Sequence, residues 1–466
     1  MMGSSEIARQ GSVQVSGVFP HLAVVAGHTP RTETGIGALM PWADRLWFIT
    51  YPANPGSGVG TGLFWLDETM ALHKHPASVE GTYANRIIHK ATNQLLIGPH
   101  VIDVEGNVRT IASLVPYRLT ATMKHLTEPE RKVYYLTMEA LFFEVDLETL
   151  ESTLLFDLTK ELDLGDVEHL HFKDGCTGHG RVVVANNTYT NADYVQGEWQ
   201  GRLAEWDGTE WRILETCQFN AVTQSTSPIG TAMLAMGADN ASAILKVHIE
   251  GADGWDTYRL PKATHTQDHS WTTEWPRIRE VESERWLMDC SGMFYELPAM
   301  QYAGKVWGVR PVSSHLRIIG DYCSWRGMLV MAGDQTTPIG DANPFVGQPQ
   351  ANLWFGKTDD LWQFGKPQGW GGPWLRTNVR AGQPSDPYLM TGFEHKVLHL
   401  SHQADAPVTF DVQVDFVGDG SWVSYASMTV PARGYKHHVF PTGFSAHWVR
   451  VVADRDCVAT AYLHYT

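Results

Sequence analysis

The sequence predicts an all-β fold, on three observations. A two-strand unit recurs: a polar start leads into an apolar, aromatic-rich strand, a tight turn follows, and a second strand ends in Asp or Glu. It is seen at residues 44–50 with 62–67, at 132–137 with 140–146, and at 284–289 with 293–297. The chain's 43 glycines, 18 tryptophans and 16 tyrosines suit many short strands joined by tight turns. Long stretches of 3.6-residue apolar period are missing, apart from a turn near 158–164. Stacked units of this length close into a β-propeller, which gathers its chemistry around a central channel.

Taken in order, the repeat gives seven units and predicts a seven-bladed β-propeller over 14–374, read as the catalytic domain. The units cover 35–74, 82–111, 119–156, 168–223, 230–261, 274–312 and 315–364, and a strand from 13–26 is expected to close the ring against the last. At 365–385 the pattern changes: Pro367, Gly369, Gly371, Gly372 and Pro373 crowd with Trp370 and Trp374, which reads as a linker or lid. Residues 385–466 alternate cleanly, as in the run VTFDVQVDF at 408–416, and predict a small C-terminal β-sandwich.

Composition bounds the function. The net charge of −16 argues against nucleic acid as a partner. An acidic surface also repels a polyanionic sugar, so a uronate site has to be a local pocket of Arg and His. No apolar leader and no 18-residue apolar run occur, so the chain as given reads as cytoplasmic, with no membrane partner; a trimmed N-terminus would place it outside the cell or in the periplasm. Five widely spaced cysteines do not look like a disulfide framework. The expected assembly is a monomer or small homo-oligomer.

Loops at one rim of a propeller build its pocket, so the candidates are polar residues near the starts of inner strands. These are Asn85, Arg86 and His89 in TYANRIIHK, His125 in YRLTATMKH, Tyr189 in VVVANNTY, Arg202 in GRLAEWDG, Arg277 and Arg279 in PRIRE, and His315 in SHLRIIGDY. Such an accumulation of Arg, His and Tyr in an acidic chain is what an anionic ligand requires. The bland alternatives are backbone bonding between blades for His89 and His125, space filling for Tyr189, and structural ion pairs for the arginines. A second candidate is a tetrahedral zinc site tying blades six and seven through His269, Cys290, His315 and Cys323; buried free thiols are its rival. The glycine-rich run at 56–62 fits neither a phosphate loop nor a dinucleotide fingerprint, and no GxSxG elbow or acidic calcium loop is present.

The segments TYANRIIHKATNQLLIGPHVID, RLTATMKHLTEPERKVYY, GRLAEWDGTEWRI, TEWPRIREVESERWLMDCSGMFYEL and SDPYLMTGF resemble a group of seven-bladed propeller polysaccharide enzymes. That group includes L-rhamnose-α-1,4-D-glucuronate lyases acting on arabinogalactan and gum arabic, related α-L-rhamnosidases and, more distantly, ulvan lyases. The resemblance implies a lyase that releases terminal L-rhamnose by β-elimination and leaves an unsaturated uronate. Its alternatives are a rhamnosidase on the same scaffold or a non-catalytic carbohydrate-binding propeller. In elimination the uronate carboxylate must be neutralised, a base takes the C5 proton and an acid protonates the leaving oxygen. Carried onto this chain, His125 or His89 is the expected base, Tyr189 the acid, and Arg202 with Arg277 the carboxylate clamp; Asn85, Arg86, Arg279 and His315 are expected to bind substrate. No cofactor is required for this chemistry, and a structural zinc or calcium ion is the only metal expected. The expected partner is an anionic oligosaccharide or polysaccharide.

Overall fold

The computed structural model describes residues 34–52, 60–165, 167, 170–188, 200–225, 231–264, 276–297, 306, 308–315, 317–338 and 347–466, with side chains omitted at 334–338 and 347–350. Antiparallel sheets follow one another along the chain. The first joins Thr34–Trp42, Arg45–Pro52, Gly62–Leu66 and Leu72–Lys74. The second joins Arg86–His89, Gln94–Ile97, His100–Ile102 and Val108–Thr110, and the third Leu119–Lys124, Lys132–Thr137, Leu141–Asp146 and Ser152–Asp157. Next come Phe172–Gly178, Arg181–Asn186, Arg202–Trp206 and Trp211–Glu215, then Gln218–Gln224, Ala232–Ala238, Ala243–Ile249 and Asp256–Leu260. A further sheet joins Arg277–Glu282, Arg285–Cys290, Met293–Leu297 and Arg310–Ser314. Tyr322–Trp325, Met328–Pro338 and Gly347–Gly356 complete the series.

The first strand of each sheet lies beside the first strand of the next, and Tyr322–Trp325 returns to Thr34–Trp42. This is the arrangement of a β-propeller, with first strands around a common axis. The apolar residues that alternate along the strands fill the spaces between sheets. Phe48 and Phe64 of the first sheet share a core with Val330 and Leu353 of the last. Tyr134 and Phe142 share one with Val184 and Trp206. Close approach near the axis demands glycine at two points: a Cβ on Gly37 would sit 2.1 Å from the Tyr83 carbonyl, and one on Gly320 2.1 Å from that of Ile36.

The C-terminal part forms two layers around one core that includes Leu398, Phe410, Trp448 and Leu463. One layer orders Gly369–Val379, Cys457–Tyr465, Lys396–His402 and Tyr435–Val439. The other orders Tyr388–Leu389, Trp448–Ala453, Val408–Asp415 and Val423–Val430, and extends the fifth propeller sheet through a parallel pairing of Arg259 with Tyr388. Arg259 pins this junction by donating to Asp239 at 2.8 Å and Asp386 at 2.9 Å.

One expectation is corrected. The Gly- and Pro-rich stretch at 365–385 is not a linker or lid over its length, because Gly369–Val379 is a strand of the C-terminal part. Its glycines serve close packing: Gly371 has φ +144°, and a Cβ on Gly372 would meet the Ala461 carbonyl at 2.0 Å. Irregular register around Trp374 absorbs the misfit. The turn expected near 158–164 is the short helix Leu158–Glu161, capped by Asp157 accepting from the Thr159 N–H at 3.2 Å. Among the described residues no helix is long and apolar enough to cross a membrane. The expected closing strand at 13–26 lies outside the described residues.

Candidate functional site

The first strands enclose a cavity of about 550 Å³, walled by Asn85, Arg86, Thr122, Lys124, Asp174, Cys176, Gln224, Arg279 and Glu280 among others. It lies toward the C-terminal halves of these strands, at Lys124 of Leu119–Lys124, Thr177 of Phe172–Gly178 and Gln224 of Gln218–Gln224. The strand starts, where sequence reasoning placed the candidates, supply its inner end.

At that inner end an ionic network is buried. Asp321, fully buried, accepts from Arg86 Nε at 2.5 Å, Arg279 Nε at 2.8 Å and the Leu39 N–H at 2.9 Å. Burial would raise its carboxyl pKa, but Arg279 and Arg86 outweigh that and hold it well below the usual carboxylate range. For Arg279, burial alone would lower the pKa, and Asp321 with Asp174 turns the net shift upward. Arg277 is 1% exposed, with Nη1 4.0 Å from Asp174 and Nε donating to the Gly320 carbonyl at 3.3 Å. Burial, and then repulsion from Arg279, pulls its pKa down to about 10. Asp174 accepts from the Gly175 N–H at 2.9 Å and the Val222 N–H at 3.2 Å. Burial raises its pKa, and Arg277 and Arg279 oppose this only in part.

Toward the outer end the wall carries hydroxyls, an amide and one flexible cation. Lys124 is exposed, and its ammonium makes no ion pair among the described residues. Asn85 donates to the Gly98 carbonyl at 2.9 Å and to Thr122 Oγ1 at 2.7 Å, and its Oδ1 is buried with no hydrogen-bond partner among the described residues. Burial pushes the Cys176 thiol up to about 12, so it stays protonated and unreactive near neutrality. Together these groups can bind a small, hydroxyl-rich anion.

Asn85, Arg86 and Arg279 line this cavity, and Arg277 is buried in the network beneath it. The two expected bases are elsewhere. His89 is buried, with Nε2 2.7 Å from the Pro129 carbonyl and Nδ1 accepting from Thr92, so both ring nitrogens are used in joining the second and third sheets. His125 sets Nε2 2.7 Å from Glu144, while Nδ1 accepts the Thr127 and Glu128 N–H groups; its ring lies 4.4 Å from that of Tyr134. Neither histidine lines the cavity, and both ring nitrogens of each are hydrogen-bonded. Arg202 is on the third strand of its sheet, donates to the Gly201 carbonyl at 2.8 Å, and does not line the cavity. Tyr189 lies outside the described residues.

His315 sets Nε2 3.0 Å from Asp289, accepts the Arg317 N–H through Nδ1, and stacks on Phe294 at 4.3 Å. Its nitrogens are therefore taken, away from the cavity wall. The zinc set is not assembled among the described residues: Cys290, His315 and Cys323 do not converge, and His269 lies outside them. Burial pushes the Cys290 thiol up to about 12 and that of Cys323 up as well. The described group with metal-ligand spacing is His125, Glu128 and Glu144, and Lys132 already reaches both carboxylates, at 2.6 and 3.2 Å.

Sequence reasoning missed Lys124, Asp174 and Asp321. Lys124 was visible, one residue before His125, but nothing local marks it as facing an axis. Asp321 follows Gly320 in SHLRIIGDY and reads as a turn residue.

No protein-family model and no curated protein matches this chain. Among solved structures it is similar to U3-55K, at 8% identity and TM-score 0.40 over 72% of this chain and 97% of that one. It is also similar to the Cps50 (Swd1) β-propeller domain of Myceliophteria thermophila, at 12% identity and TM-score 0.40, covering 71% and 99%. The hydrazine synthase of Kuenenia stuttgartiensis matches at 10% identity and TM-score 0.40, covering 72% and 98%. The class that the sheets define is a β-propeller protein with a charged axial cavity.

Proposed function

We propose that the axial cavity takes the uronate end of an anionic oligosaccharide, and that the chain is a lyase releasing terminal L-rhamnose from α-1,4-linked D-glucuronate. The reading also takes the seven successive sheets as the blades of one seven-bladed propeller and the two C-terminal layers as a β-sandwich, with the boundary near residue 365. The observation that carries it is the placing of Lys124, with no ion pair among the described residues, in the wall of a cavity of about 550 Å³ whose inner end holds the buried Arg277 and the half-buried Arg86 and Arg279. In a chain of net charge −16 this is a local cationic site of the size of one or two sugar rings. Lys124 and Arg279 pair with the carboxylate, which stabilises the enolate-like intermediate of β-elimination. Thr122, Gln224 and the Asn85 carbonyl meet sugar hydroxyls. With His89 and His125 committed to structure, Tyr189 is left as the proton-transfer group of this proposal.

A rhamnosidase is the second reading, favoured by two carboxyl groups, Asp174 and Glu280, in the cavity wall. One experiment separates them: ultraviolet absorbance and free rhamnose are followed together on gum arabic. Both signals rise for the lyase, rhamnose alone for the hydrolase, and neither if the propeller only binds sugar. Lys124→Ala should raise KM at least about tenfold by removing one carboxylate contact. His125→Ala should lower stability and leave kcat of the folded fraction unchanged; a lost kcat would return His125 to the base role.

A further inference from the structure

The outward face of the C-terminal layer that begins with Gly369–Val379 carries a cluster of adjacent rings. Its strand Lys396–His402 alternates strictly: Leu398, Leu400 and His402 point inward, while Val397, His399 and Ser401 point out. Leu463 and Ala461 are likewise buried, and Tyr462 and His464 face outward. Register then lines up the outward residues in rows. His399 stands opposite His437 on one side and Tyr462 on the other, Ser401 opposite Tyr435, and His464 opposite Trp370. The rings are in contact distance: Tyr435 is 6.0 Å from His399 and 6.1 Å from His437 at interplanar angles of 19° and 26°, and His464 is 5.1 Å from His399. The Tyr435 hydroxyl is 2.8 Å from His399 Nδ1, which fixes both rings, and Tyr435 remains 57% exposed.

Charge sets this face apart. The chain has 51 acidic residues, yet none of the four strands contains an Asp or Glu. The face offers imidazoles instead. Burial, then repulsion from His464 and His437, lowers the pKa of His399. Near-parallel exposed rings stack on the C–H faces of sugars, and imidazolium N–H groups donate to carboxylates.

We propose that this face is a secondary binding platform for a uronate-bearing glycan chain, separate from the axial cavity. It shares with the proposed function only the class of glycan. The platform holds polymer near the cavity, and its grip tightens as falling pH charges the imidazoles.

The test uses the full chain in affinity electrophoresis through gels holding polygalacturonate or neutral dextran, at about pH 5 and about pH 8. Retention by polygalacturonate, stronger at the lower pH, with none by dextran, is expected. The double variant Tyr435→Ala with His437→Ala, both exposed on an edge strand, should lose about tenfold in affinity. Unchanged retention of this variant overturns the platform, as does retention that requires added zinc and disappears with chelator. The absorbance assay on a short oligosaccharide reads the cavity independently. Elimination with unaltered polymer retention in the variant sinks the platform alone, and lost retention without elimination in the wild type sinks the lyase alone.

Discussion

Two carboxylates near the axis do the same backbone work and differ in everything else. Asp321 reaches from the last propeller sheet to the Leu39 N–H of the first, and Asp174 reaches from the fourth to the Val222 N–H of the fifth. Each ties one first strand to its neighbour. Asp321 has two guanidinium groups at hydrogen-bond distance and is held ionised; Asp174 has one at 4.0 Å, and burial raises its pKa. The seam where the chain closes on itself is thus secured by charge, and the seam within the continuous chain by hydrogen bonds. Buried charge is tolerated only where its partner's geometry is close, because desolvation otherwise exceeds the Coulombic gain.

The largest effect that should break this comparison is Asp321→Ala. It strands Arg86 and Arg279 in the interior and is expected to cost about 3–5 kcal/mol in denaturant unfolding. A loss equal to that of Asp174→Ala would show that the two seams are equivalent after all. Next, Arg86→Met leaves Asp321 with Arg279 and should cost about 2 kcal/mol.

Asp174→Asn sharpens the contrast through pH. Because the folded pKa of Asp174 is raised, its contribution is full below the unfolded value of about 3.9 and is lost as pH rises through the folded value. The variant should therefore gain on wild type between acid and neutral pH. For Asp321 the sign reverses: the folded pKa is depressed, so its contribution is present above the unfolded value and lost as pH falls through the folded one. Asp321→Asn should accordingly approach wild type in acid. Parallel stability curves for the two Asn variants would contradict both assignments. The smallest effect concerns Cys176, near Asp174: with its thiol pushed up to about 12, alkylation at neutral pH should run at least about tenfold slower than for a free thiol.

The imidazole face was hidden for a different reason than the network. His399, His437 and His464 are scattered over 66 residues and mean nothing until register sets them side by side. Arg86 and Arg279 were legible as candidates because each opens or nearly opens a strand, and strand starts converge on a propeller axis. His89 and His125 were legible in the same way and do not line the cavity, since a residue at a strand end can turn toward the neighbouring sheet as readily as toward the axis.

By itself the sequence determined the all-β class and the succession of short antiparallel strands, because period-two alternation and Gly-rich turns are local properties. It also determined that any anion site must be a local exception in an acidic chain. Only the tertiary structure decided which polar residues meet. Asp321 and Arg86 are 235 residues apart, and the pairing of one with the other depends on the ring closing, a fact no local pattern contains. Pairing with Cys457–Tyr465 turned the glycines at 369–372 from a linker signal into a tightly packed strand, since a Cβ there would meet the carbonyls of Lys262, Ala241 and Ala461, distant in sequence.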